Sequence, residues 1–164
     1  MRVRAAAVLA VIAFAAAVPG GTGNAASPFA YFNSADSDRF FPIARSGPTP
    51  IAGITLQTTQ PSNVLVQFTS GATAETTTGC PCSLRAFLRM DGGPLMPVKR
   101  INLGSPGAMT PTGYPHDRQS LDGSLVFPTD AGTHLVELVV QQVTGTSEDL
   151  RLYYPNLQAM AFPQ

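Results

Sequence analysis

The sequence predicts an all-β fold, an antiparallel β-sandwich of about eight strands. Three observations predict it. Short stretches of alternating apolar and polar residues recur at regular spacing, separated by Gly, Pro, Asn and Asp. Fifteen glycines and fifteen prolines with only 12% charged residues suit a turn-rich β domain. Past the N-terminus no stretch carries the periodicity of an amphipathic helix, and no internal repeat is evident.

The first 26 residues read as an address. Two arginines in Met1–Arg4 precede the apolar run Ala5–Val18. Pro19, Gly20 and Gly21 then break any helix, and Gly23-Asn24-Ala25 fits the small-x-small cleavage rule. This predicts a secretory signal peptide over 1–26, cut after Ala25 or Ala26, and a secreted, extracellular or periplasmic product. The apolar run is shorter than the ~20 residues a bilayer crossing needs, so no membrane span is expected once the signal is removed. Roughly 140 residues remain, the size of one domain, expected as an extended segment over 27–50 and a sandwich domain over 51–164.

Charge excludes some partners. The whole chain balances ten basic against ten acidic residues. Loss of Arg2 and Arg4 with the signal leaves a weakly acidic product. Neither nucleic acid nor an anionic membrane is an expected partner of such a surface.

Taken in order, Phe40–Ile43 (FFPI) reads as a short strand against the sandwich, and Ser46–Pro50 as a proline loop. Ile51–Thr59 alternates as a half-buried strand, and Val64–Thr69 follows the turn Gln60–Asn63 as a central one. Polar Ser70–Gly79 reads as a loop. Cys80–Met90 places Leu84, Ala86, Leu88 and Met90 on one face and Arg85, Phe87 and Arg89 on the other. Asp91-Gly92 fits the positive φ angles of a primed hairpin turn, returning into Leu95–Leu103, where Pro97 marks an edge or bulge. Gly104–Gln119 is a long Pro- and Gly-rich loop of the kind that often carries function. Ser120–Phe127 and Thr133–Val143 read as a hairpin about Pro128–Gly132, the second strand apolar on both faces at its centre, as a buried strand should be. Asp149–Tyr154, a turn at Pro155-Asn156, and Leu157–Phe162 complete the set.

The pattern resembles a known group. Val64–Phe68, the strand ending in Met90-Asp91-Gly92, the run Ala131-Gly132-Thr133-His134-Leu135-Val136 and the final strand from Leu157 resemble small secreted bacterial jelly-roll domains. Those are similar to the complement C1q and tumour-necrosis-factor-like sandwiches. The resemblance covers roughly residues 51–163 and implies a jelly roll with its terminal strands side by side, a homo-oligomer with a trimer favoured, and binding through surface loops. It brings no catalytic residues.

The candidate sites are few. Cys80-Pro81-Cys82 is the most unusual local feature: in an exported chain the two sulfurs should be oxidised or ligated. A local disulfide clip, pairing with another chain, a soft-metal site with His116 or a methionine, and redox exchange are the readings open to it. In the long loop, Tyr114, His116, Asp117 and Arg118 are the candidate ligand-binding residues, although a Ser, His and Asp so close in sequence do not form a catalytic relay. His134 reads as a strand-start residue bonded to its neighbouring loop, and Asp91 and Asp122 as turn-formers. Asp36-Ser37-Asp38 lacks the glycine and distal glutamate of a calcium loop. Tyr114 and Tyr153-Tyr154 offer ring faces to a sugar, but the chain has no tryptophan. No metal site, cofactor or catalytic residue is expected. The leading expectation is a secreted, non-enzymatic sandwich that binds or assembles through its loops or a sheet face, with an extracellular protein or glycan as partner. The rivals are a carbohydrate-binding or adhesion module, and an exported copper-binding or redox protein built on Cys80-Pro81-Cys82.

Overall fold

A computed structural model describes residues 28–34, 39–76, 78–104 and 118–164. The signal-peptide reading over 1–26, Asp36-Ser37-Asp38 and most of the long loop lie outside these residues. The described chain forms ten strands: β1 Phe29–Asn33, β2 Phe40–Pro42, β3 Thr49–Thr58, β4 Ser62–Ala74, β5 Cys82–Met90, β6 Met96–Leu103, β7 Gln119–Ser120, β8 Gly123–Thr129, β9 Gly132–Thr144 and β10 Leu150–Pro163. The sequence pattern does not anticipate β1 or the two-residue β7, and it counts β10 as two strands.

They form two antiparallel sheets. One runs β1-β10-β4, with β2 beside β1 along β10, and β8 and β7 along the far side of β4. The other is β3-β9-β5-β6. From β3 onward the chain passes from sheet to sheet at nearly every connection, staying within one sheet only at β5–β6 and β7–β8. That is a jelly roll, with the first and last strands adjacent. Between the sheets lies one core, in which Val64, Val66, Phe68 and Leu157 from one layer meet Leu84, Leu88, Val136 and Leu138 from the other.

Local chemistry explains most elements. Asp91 and Gly92 take φ of 52° and 69°, and the Gly93 N–H returns to the Met90 carbonyl at 2.9 Å, a tight turn that few L-residues other than Asp or Asn tolerate. Pro97 sits on edge strand β6, opposite a register shift between Ala86 and Phe87. β9 is the central strand of its sheet, which is why Val136, Leu138, Val139 and Val140 are all buried.

Four expectations need correction. Residues 29–33 are not an extension ahead of the domain but a strand paired with β10; Phe40–Pro42 pairs there too, as the short-strand reading of Phe40–Ile43 anticipates, and Ile43 plugs the core. Ser70–Ala74 is strand, not loop. Gly71–Ala74 pairs with β10, and the Ser70 hydroxyl donates to the Leu121 carbonyl at 3.1 Å. The last two strands are one, β10, whose register shifts between Tyr153 and Asn156, with Tyr154 at φ 50°. Finally, β8 and β9 do not pair as a hairpin: β8 lies along β4 and β9 between β3 and β5. Thr58 at the end of β3 holds this arch open. Its hydroxyl donates to the Asp130 carbonyl at 2.8 Å and accepts from the Gly132 N–H at 3.1 Å. Alternation marks strands on either side of a turn; it does not say whether the turn folds back within one sheet or crosses to the other.

Leu138 is fully buried between the two sheets. Leu138→Ala is expected to lower the unfolding free energy by roughly 2–5 kcal/mol, read from urea unfolding followed by circular dichroism.

Candidate functional site

Of the four residues singled out in the long loop, Tyr114, His116 and Asp117 lie outside the described residues. Arg118 is described. Its guanidinium carbon lies 3.9 Å from the Tyr153 ring centre and 4.9 Å from that of Tyr154. Gly71 permits this approach, since a side chain there would press on Arg118 at 3.2 Å. Nearby, Arg151 lies 4.2 Å over the Phe40 ring and 3.7 Å from Glu75, and the Tyr153 hydroxyl donates to Glu75 at 2.7 Å. Burial first, then the bond to Glu75, pushes the Tyr153 hydroxyl above its usual pKa. Tyr153 is thus a packed residue. Each of the three rings already carries a guanidinium on one face, a cation–π arrangement, which weakens the sugar-stacking reading of Tyr153-Tyr154.

Cys80 and Cys82 are bonded to each other. The clip sits where β6 and β9 end. A side chain at Gly104 would strike Cys80 at 2.6 Å and one at Gly145 would strike Cys82 at 2.6 Å; both glycines have positive φ. Local clip is the reading that this packing matches.

A cleft of about 490 Å³ opens where the free edges of β6 and β8 converge. Met90, Met96, Leu125, Phe127 and Pro128 give it apolar walls, and Asp91, Asp130 and His134 line its polar end. His134 Nδ1 lies 2.7 Å from an Asp91 oxygen and Nε2 3.1 Å from the Asp130 carbonyl. Both partners are acceptors, so both bonds form at once only with the imidazolium. The bond to Asp91 raises the His134 pKa; burial opposes it, and the Asp130 carbonyl adds to the rise. The other Asp91 oxygen accepts the Leu135 N–H at 2.7 Å. The turn-forming reading of Asp91 therefore holds only in part: the carboxylate also ties the β5–β6 tip to β9. His134 bonds its neighbouring loop, as its position suggested.

The most extensive feature is one the sequence reading passed over. On the outer side of the six-stranded sheet, Phe29, Met160, Leu65 and Val126 stand in cross-strand register over β1, β10, β4 and β8. Phe29 is 51% exposed, Met160 38% and Val126 52%. Phe162 and Tyr31 flank this row, and Gln158 donates to Gln67 at 3.1 Å in the next. From Asn156 to Phe162 and across its neighbours, every outward position of these strands is uncharged. A signal for it did exist. In β10, Ala159 and Ala161 face the core while Met160 and Phe162 face out, the reverse of the usual size pattern.

No protein-family model matches the chain, and no curated protein matches it. Among solved structures it is similar to an Eiger tumour-necrosis-factor protein from S. frugiperda, at 11% identity and a TM-score of 0.47 over 85% of this chain and 95% of that one. It is also similar to a family 35 carbohydrate-binding module from an environmental isolate, at 14% identity and a TM-score of 0.33 over 69% and 70%. A third is a family GH115 4-O-methyl-α-glucuronidase with specificity for decorated arabinogalactans, at 17% identity and a TM-score of 0.37, matched over 91% of this chain but 19% of that one. These are likenesses of fold alone.

The raised His134 pKa fixes a pH dependence. A group whose pKa rises on folding contributes stability that is complete below its unfolded value, about 6.5, and lost as pH climbs through the folded value. The urea midpoint of the wild type, measured relative to that of His134→Gln, is expected to be higher near pH 5.5 than near pH 8.5. Asp91→Asn should flatten that difference.

Proposed function

We propose that this chain is an exported, non-enzymatic module that assembles with copies of itself through the outer face of its six-stranded sheet. The observation that carries the reading is the aligned, charge-free row of Phe29, Leu65, Val126 and Met160. Interface centres are depleted in charge and enriched in aromatic residues and methionine, and exposed apolar patches of this kind mark association sites. The occupant is a further copy of this chain, and the chemistry of the face favours one. It is neutral throughout, so it repels no copy of itself and offers no ion pair to a charged partner. A closed cyclic trimer is the assembly we propose, the form implied by the resemblance to tumour-necrosis-factor-like sandwiches; closure leaves no surplus face to propagate a filament.

Met160→Glu or Val126→Glu places a carboxylate in this row without touching the core. Each is expected to reduce the mass measured by light scattering to that of one protomer while the circular-dichroism spectrum is retained. An oligomer that survives both substitutions would overturn the assignment of this face.

A further inference from the structure

The opposite sheet has a different surface. Its four strands, β3, β9, β5 and β6, carry four cations, Arg85, Arg89, Lys99 and Arg100, but a single carboxylate, Glu137. That carboxylate is spent: Arg89 grips it through two hydrogen bonds, at 2.7 and 3.0 Å. Arg85 and Arg100 stand directly opposite each other on β5 and β6, and the other register partner of Arg85 is the neutral Gln141. Like charges facing each other across a strand pair oppose folding, so this pair earns its place by something other than stability.

The pair does not stand alone. Arg85, Lys99 and Arg100 line a shallow depression of about 310 Å³ with Pro97 and Val98. None of the three makes an ion pair with a described residue. Arg100 is nevertheless aimed: its Nε and Nη2 donate to the Ser83 hydroxyl oxygen at 3.2 and 3.0 Å, and that hydroxyl is 2.9 Å from the Thr144 hydroxyl. A neutral hydroxyl orients the guanidinium without cancelling its charge, and leaves the rest of its fork of donors for a ligand.

We infer that this depression binds the carboxylate or sulfate groups of an acidic polysaccharide. Paired arginines match planar or tetrahedral oxyanions, and Pro97 and Val98 supply an apolar wall for the C–H face of the sugar that carries them. A nucleic acid or bilayer would need a longer basic surface than three cations on a chain of balanced charge. The site lies on the sheet that faces away from the proposed assembly surface, so neither reading depends on the other. If copies do assemble, each presents its depression outward, and a polymer with repeated anionic groups would be held at several points.

Titration calorimetry of the intact protein at low salt tests this with heparin for sulfate, polygalacturonate for carboxylate, dextran as the neutral control and duplex DNA as a competing polyanion. Binding of heparin, polygalacturonate or both is expected, without binding of dextran. It should weaken steeply toward about 1 M salt, where the screening length falls to about 3 Å. Arg85→Glu should lower the affinity at least tenfold while leaving the melting temperature undiminished, because it relieves the Arg85–Arg100 repulsion, and while leaving the solution mass unchanged. Failure to bind either acidic polymer, binding unaffected by Arg85→Glu, or equal or tighter binding of DNA would overturn the assignment. A change of mass in Met160→Glu with anion binding intact would bear on the assembly alone.

Discussion

The pairing of β10 with β4 is the constraint on which the rest of the six-stranded sheet depends. It runs from Leu150 against Ala74 to Pro163 against Ser62, interrupted once at the Tyr153–Asn156 bulge. Every other strand of the sheet hangs from one of these two. Side chains alternate with a period of two, so a slip of one residue would turn out of the core either Val64, Val66 and Phe68 of β4 or Leu157 and Ala159 of β10. The register that buries these five also aligns Met160 with Leu65 on the other side. Core and proposed assembly face are two consequences of one ladder.

The two outer surfaces then diverge in chemistry. On the six-stranded side the charges gather at one end, around Arg118, Arg151 and Glu75, where they cover aromatic rings and pair with one another. The rest of that face carries none. The four-stranded side keeps an excess of cations, of which, among the described residues, only Arg89 has a carboxylate partner. A chain of balanced overall charge has thus been sorted into a neutral face and a basic one, a division that composition alone conceals. Neither face uses the cysteine clip or the His134 clamp, which tie strand ends and turns to the scaffold.

Much of this was legible in the chain itself. Asp91-Gly92 announces a tight turn because few residue pairs accept positive φ in succession, and it forms one. The run Leu138–Val140 announces a central strand because it is apolar on both faces. Pairing was not legible. Nothing in Pro128–Gly132 reveals that Thr58, some seventy residues earlier, holds the turn open as an arch between sheets. The apolar row was hidden for the same reason: Phe29, Leu65, Val126 and Met160 are scattered over the sequence and meet only through registers set by four strands. The Arg85–Arg100 pair spans one hairpin and could be placed opposite only once the bulge at Ala86 and Phe87 was known.

The central claim is that the neutral face joins copies of this chain, and its most direct test is the solution mass of the unmodified protein. Light scattering over a hundredfold range of concentration, with and without reductant, should give three protomers that reductant does not disturb. A single protomer at every concentration, or a dimer that reductant splits, would contradict the account.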